Sequence, residues 1–265
     1  MCQHTAADLA LFEQGLLGVP GSAAPVSTGP ALSRRGLLAG ALAVSAAAAL
    51  PGGPLVPATA QAATRTPTIR ARSAWAGTTC PIRGRLPVEA AGNTRFLEVH
   101  HSVLPSNTYS QAQVPAILRL FYKMHVDKGW PDIAYNFLID RFGTIWEGRA
   151  GSRTSPVIPS ATGGHQGFSQ KVCFIGDHRT VAPTALMNDR MVSALAMLAT
   201  KYRIPTAPGK TATFISRGSN LLPAGMRCTV PTIVGHRQVV RTACPGDAAF
   251  RLVKYSYPTW VTRCA

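Results

Sequence analysis

Short strand-forming runs separated by two amphipathic helical stretches constrain this chain more than any other feature. Phe96-Leu97-Glu98-Val99-His100 alternates and is rich in β-formers, so it reads as a strand ending at a histidine pair. Loop residues Pro105-Ser106-Asn107 follow. Val114, Ile117, Leu118, Phe121 and His125 then share one face at helical spacing, with Pro115 tolerable only in the first turn and Gly129 as the stop. Ile133 to Asp140 reads as a strand, Arg141-Phe142-Gly143 as a tight turn and Thr144-Ile145-Trp146 as its hairpin partner. Beyond a Gly/Ser/Pro-rich loop from Ala150 to Gln170, the wholly apolar Val172 to Ile175 suits a central strand. A second helix runs from about Thr184 to Tyr202, with Met191, Leu195, Leu198 and Tyr202 on one face, and Pro205 and Pro208 close it off. Thr211 to Pro231 reads as irregular, Thr232-Ile233-Val234 is a strand, and Asp247 caps a last helix through about Lys254. Strands alternating with helices imply the fold class α/β, a mixed central β-sheet flanked by helices.

The chain has 265 residues, but the first sixty or so are not core-forming sequence. Ser33-Arg34-Arg35-Gly36-Leu37-Leu38 opens an Ala/Leu/Gly-rich run to Leu50, followed by Pro51 and the small-residue site Ala60-Gln61-Ala62. That pattern is a twin-arginine export signal over residues 1–62, removed on export. A membrane span is the alternative for this run, disfavoured by length, because Leu37 to Leu50 is 14 residues (37 to 50 inclusive) against the roughly 20 that cross a bilayer. Residues 63–72 read as a polar, Pro/Arg-containing linker, and 73–265 as the folded domain. The expected location is therefore extracellular, at the cell wall, with no stable membrane anchor.

Arg34, Arg35, Asp8 and Glu13 cancel within the leader, so the formal charge of +16 belongs to the exported part. A basic surface outside the cell meets anionic wall polymers, lipid headgroups and peptide carboxylates. Nucleic acid is not expected, since export removes it and no Lys/Arg cluster with interleaved aromatics is present. Of the six cysteines, Cys2 leaves with the leader. Cys80, Cys173, Cys228 and Cys264 are candidates for disulfides in an oxidising compartment, with three connectivities open and a buried thiol equally open for Cys173.

The chemistry concentrates in Gly235-His236-Arg237-Gln238-Val239-Val240-Arg241-Thr242-Ala243-Cys244-Pro245-Gly246. His236 and Cys244, taken with His100, form a candidate His, His, Cys zinc set, which leaves the fourth tetrahedral position open, as in a catalytic site. His100 and His101 are adjacent on a strand and point to opposite faces, so only one of them looks into the site. For each residue a duller role stands beside the functional one: a disulfide half for Cys244, a strand-end residue for His236. Cys244 as a peptidase nucleophile is disfavoured, because such enzymes generally place the cysteine before the histidine, and here both histidines precede it.

Val99-His100-His101-Ser102, Gly129-Trp130-Pro131-Asp132-Ile133-Ala134-Tyr135-Asn136-Phe137, Ile145-Trp146-Glu147-Gly148-Arg149, Gly235-His236-Arg237 and Thr242-Ala243-Cys244-Pro245-Gly246 follow one another in order. Together, over about residues 70 to 260, they resemble the peptidoglycan recognition protein and type-2 N-acetylmuramoyl-L-alanine amidase family. The resemblance implies Zn2+ held by His100, His236 and Cys244, with Tyr135 assisting catalysis. It implies hydrolysis of the amide between N-acetylmuramic acid and L-alanine, with the muropeptide stem of peptidoglycan as partner; the alternative is a non-catalytic peptidoglycan-binding module. Thr242 stands where phage-type members carry a lysine, so oxyanion stabilisation would rest mainly on zinc and Tyr135. His165, in Pro159 to Phe168, either replaces a groove histidine from a shifted position or leaves that contact absent. Glu147 is a carboxylate for general-base work. Arg149 would pair with a stem carboxylate or brace the surface, and His125 would line the groove or the core. Trp130 and Asp132 are expected to shape the turn before Tyr135.

Overall fold

The computed structural model describes residues 67–90, 92–161 and 163–265. The expected twin-arginine signal and cleavage site, Cys2 and the start of the expected linker lie outside the described residues. The linker's end is already structured: β1 (Ile69–Arg70) joins the sheet at its edge, and α1 (Ser73–Ala76) follows. The Arg72 guanidinium anchors this entry, reaching both oxygens of the buried Asp132 at 2.8 and 3.0 Å.

The main sheet comprises β1, β2 (Phe96–His101), β3 (Phe137–Ile139), β4 (Ile145–Glu147), β5 (Ser169–Phe174) and β8 (Ile233–Gly235). Its strand order is β1-β4-β3-β5-β2-β8, and only the β3–β4 hairpin is antiparallel, so it is the expected mixed sheet. Asp140 holds that hairpin: Oδ1 accepts from the N–H groups of Phe142 and Thr144 at 2.9 Å, and Oδ2 from Trp146 Nε1 at 2.8 Å.

Alternation along each strand divides the core between the two faces. Leu97, Val99, Phe137, Ile139, Val172 and Phe174 face α3 (Ala185–Tyr202), α4 (Asp247–Tyr255) and α5 (Tyr257–Cys264), packing on Met191, Leu195, Leu198, Val253 and Tyr257. Leu138, Trp146 and Cys173 face α2 (Val114–Val126) through Ile117, Leu118 and Phe121. Thr184 starts α3 by accepting the Met187 N–H at 3.2 Å, a cap that contributes about 1 kcal/mol. α5 was not expected beyond Lys254; Tyr257 and Val261, fully buried, draw it onto the α3 side.

Three segments depart from the sequence expectation. Thr211 to Pro231 is no irregular stretch but a second sheet, β6 (Thr211–Ile215) antiparallel to β7 (Arg227–Pro231). Its alternation buries Ala212, Phe214, Cys228 and Val230 against Phe96 and Val234, and the long connection over 216–226 obscured the pairing. β5 begins at Ser169, inside the expected loop, because the polar Ser169, Gln170 and Lys171 are buried with partners and not exposed. The strand expected from Ile133 is confined to Phe137–Ile139, since Asp132 Oδ1 takes the Ile133 N–H at 2.8 Å and His125 Nδ1 the Ala134 N–H at 3.0 Å. Side chains there occupy donors that a ladder would use. Nor do the four candidate cysteines form disulfides: Cys80, Cys228 and Cys264 are thiols, and Cys173 is buried in β5 with Sγ directed at Phe174 O.

Candidate metal centre

Adjacent parallel strands build the site. β2 carries His100 near its end, and β8 pairs with it through Val99↔Gly235, so the residue after Gly235 emerges beside His100. The His100 and His236 rings lie 4.3 Å apart between centroids. The chain then turns back, with Arg237 N donating to Cys244 O at 2.9 Å, and so delivers the thiol to the two imidazoles. Gly246 makes that return possible at φ 86°, where an added Cβ would stand 2.2 Å from His178 O.

One ligand atom from each of His100, His236 and Cys244 lies within 4.8 Å of the others, and all three side chains are buried. Cys244 Sγ is 3.6 Å from His100 Nδ1 and accepts the His101 main-chain N–H at 3.3 Å. Both ring nitrogens of His236 are buried without a hydrogen-bond partner. Unpaired buried polar atoms cost about 1–3 kcal/mol, and a metal ion is the partner this donor set suits. Burial holds the His236 imidazole well below its ordinary pKa, with repulsion from His100 adding to it; burial likewise lowers His100. Neutral imidazoles with available lone pairs are what zinc binding requires.

Tyr135 is brought to the same place, its ring 5.2 Å from His100 and 5.7 Å from His125 between centroids. It sits just ahead of β3, where its carbonyl accepts the Arg149 N–H at 2.9 Å. His101 faces away: Nδ1 accepts the His178 N–H at 3.1 Å, and burial pushes its pKa down to about 3.

The remaining sequence candidates are held by neighbouring groups. Glu147 does not join the ligand cluster as a base; its carboxylate accepts the main-chain N–H groups of Arg72 and Arg153, each at 3.2 Å. His125 is buried, and its Nδ1 accepts the Ala134 N–H, which shapes the segment bearing Tyr135. Arg149 is a buried brace whose guanidinium donates to Ile133 O, Ile158 O and Ser160 Oγ at 2.7 to 2.9 Å, with burial pushing it down to about 10. It also borders a cleft with Arg85 and Arg217. Thr242 Oγ1 accepts the Cys244 N–H at 3.2 Å, which orients the thiol's loop. His165 is fully buried, edge-on to Phe214 at 5.2 Å between centroids. Asp132, expected to shape the turn, does so.

Glu98 escaped the sequence reading. It shares a face with His100, two residues on, and lies fully buried beside it. A charged residue in phase with a histidine on an otherwise apolar strand was the available signal.

The N-acetylmuramoyl-L-alanine amidase family model matches residues 90–247, a span that contains His100, Tyr135, His236 and Cys244. The chain belongs to that family. Among amidase-family relatives, a human N-acetylmuramoyl-L-alanine amidase is 29% identical over 196 residues, covering 73% of this chain. The match spans only 28% of that protein's length. Drosophila PGRP-LB superposes with a TM-score of 0.55 at 24% identity, over 72% of this chain and 95% of that one. Peptidoglycan recognition protein LE, solved with tracheal cytotoxin (monomeric diaminopimelic acid-type peptidoglycan), superposes with a TM-score of 0.54 at 22% identity, over 70% and 92%. At these identities the structural likeness establishes the fold: a mixed sheet flanked by helices, as in peptidoglycan recognition proteins.

Proposed function

We propose that this chain is a zinc-dependent amidase that hydrolyses the bond between N-acetylmuramic acid and L-alanine in peptidoglycan. The observation that carries this reading is the pair of buried, partnerless nitrogens of His236 facing His100 and Cys244. Zinc bound there would polarise the scissile carbonyl and supply activated water near neutral pH. His100, His236 and Cys244 would hold the ion, and the low-pKa imidazoles keep their lone pairs for it. Tyr135, packed on His100, would donate its phenolic hydrogen to the oxyanion that develops on the carbonyl oxygen. The Arg85, Arg149 and Arg217 cleft adjoins the Tyr135 segment, since its Ser160 N–H donates to Ala134 O at 3.0 Å; there the carboxylates of a peptide stem would meet positive charge. Metal analysis of the purified chain should find about one zinc per molecule. Purified sacculi should release L-alanine-terminated stems, with a chelator abolishing release and added zinc restoring it. A metal-free wild-type protein, or release indifferent to chelation, would overturn the reading.

The depth of the site supports a second reading, in which muropeptide is bound and not cleaved. His100 and His236 are 0% exposed, Tyr135 2% and Cys244 3%. Chelator-insensitive capture of muropeptides with no product release identifies that outcome.

The export reading belongs to the same proposal: the chain acts at the cell wall, where its charge of +16 favours anionic polymers. Among the described residues no helix is long and apolar enough to cross a membrane. Arg34→Lys/Arg35→Lys should retain the full-length chain inside the cell. Undiminished export of that variant removes the twin-arginine assignment.

A further inference from the structure

Glu98 and Lys171 form a fully buried ion pair directly behind the proposed zinc ligands. Their positions are in register across β2 and β5, and Lys171 Nζ lies 3.4 Å from Glu98 Oε2. Ser169 Oγ donates to the same oxygen at 3.0 Å. Burying two charges costs several kcal/mol per ion, and a well-packed apolar pair is often as stable or more so. A stability role alone therefore explains the pair poorly.

The other carboxylate oxygen points to a different role. Glu98 Oε1 and His100 Nε2 approach to 3.0 Å, short of full hydrogen-bond alignment, and neither atom has another partner. The opposite ring nitrogen, Nδ1, faces Cys244 Sγ. An imidazole that gives one nitrogen to a metal carries its proton on the other. The acceptor for that proton is already in place, held by Lys171 and Ser169.

We infer that Glu98 is a positioning residue for the metal centre: it accepts the Nε2 proton of His100, fixes the tautomer that offers Nδ1 to zinc, and is itself held in place by Lys171. The inference rests on the zinc reading above. It adds a carboxylate–histidine–metal relay to the ligand set, a type of support whose loss typically weakens metal binding about 10- to 100-fold.

The test measures zinc affinity of the full chain by competition with a chromophoric chelator, alongside thermal unfolding of the metal-free protein. Glu98→Leu/Lys171→Met removes both charges together, so the metal-free fold should melt at or above the wild-type temperature. Its zinc affinity should nevertheless fall about 10- to 100-fold. Glu98→Gln/Lys171→Met returns an acceptor oxygen to the same place and should recover much of that loss. Zinc affinity within about twofold of wild type for the Leu/Met variant overturns the inference, as does equal weakness of the Gln/Met variant. If the Leu/Met variant melts lower, the comparison of Gln/Met with wild type decides by the same criterion: affinity near wild type supports the relay, and loss as deep as that of Leu/Met overturns it. A wild-type chain that binds no zinc refutes the zinc reading itself, which is a separate result.

Discussion

Cys244→Ala is expected to lose stoichiometric zinc and, with it, amidase turnover. Zinc binding of about 10–16 kcal/mol in a four-ligand structural site assigns roughly 2.5–4 kcal/mol to each ligand, on the order of a 10²- to 10³-fold loss of affinity for one ligand removed. The fold should survive, because the thiol is small and its contacts with the His101 main chain, N–H at 3.3 Å and O at 3.7 Å, are long. Circular dichroism matching the wild type, together with zinc falling to well below one per chain and no product from sacculi, is the expected pattern. Full zinc occupancy and unchanged release in Cys244→Ala would remove the cysteine from the ligand set. His236→Ala should behave alike, since its two nitrogens have no other partner to lose.

Tyr135→Phe should separate catalysis from metal binding. The phenyl ring keeps its packing on His100 and His125, at 5.2 and 5.7 Å between centroids, and no proposed ligand is touched. Zinc content should therefore equal that of the wild type, while kcat falls on the order of 10²- to 10³-fold with little change in KM, as for loss of one oxyanion donor. Zinc loss as deep as in Cys244→Ala would show that Tyr135 supports the metal and not the transition state.

The contrast between these two variants reflects how the site was assembled. His236 and Cys244 are close in sequence, and the turn residues between them, with Thr242 and Gly246, make their approach a local matter. The helical faces of α2 and α3 were equally legible, since 3.6-residue periodicity is written in the residues themselves. The motif marks Tyr135, but the residue stands in a segment held by Asp132 and His125 and not in a ladder.

Pairing made only in the folded chain explains the other differences. Glu147, Arg149 and His125 have the right chemistry for a site, but their polar atoms are taken by the backbone of Arg72, Arg153, Ile133, Ile158 and Ala134. Those partners come from other elements, and no local pattern names them. The β6–β7 hairpin was hidden for a related reason, its strands being separated by the 216–226 connection.

Alternation, helical period, turn residues and ordered motifs are local properties, and they determined the fold class and the two main helices and marked His100, His236 and Cys244 as a candidate set. Only the tertiary structure decided that Glu98 meets Lys171, because that juxtaposition depends on parallel register between β2 and β5, strands far apart in the chain. A charge on a strand is costly in isolation and useful beside the right partner, and register is what supplies the partner.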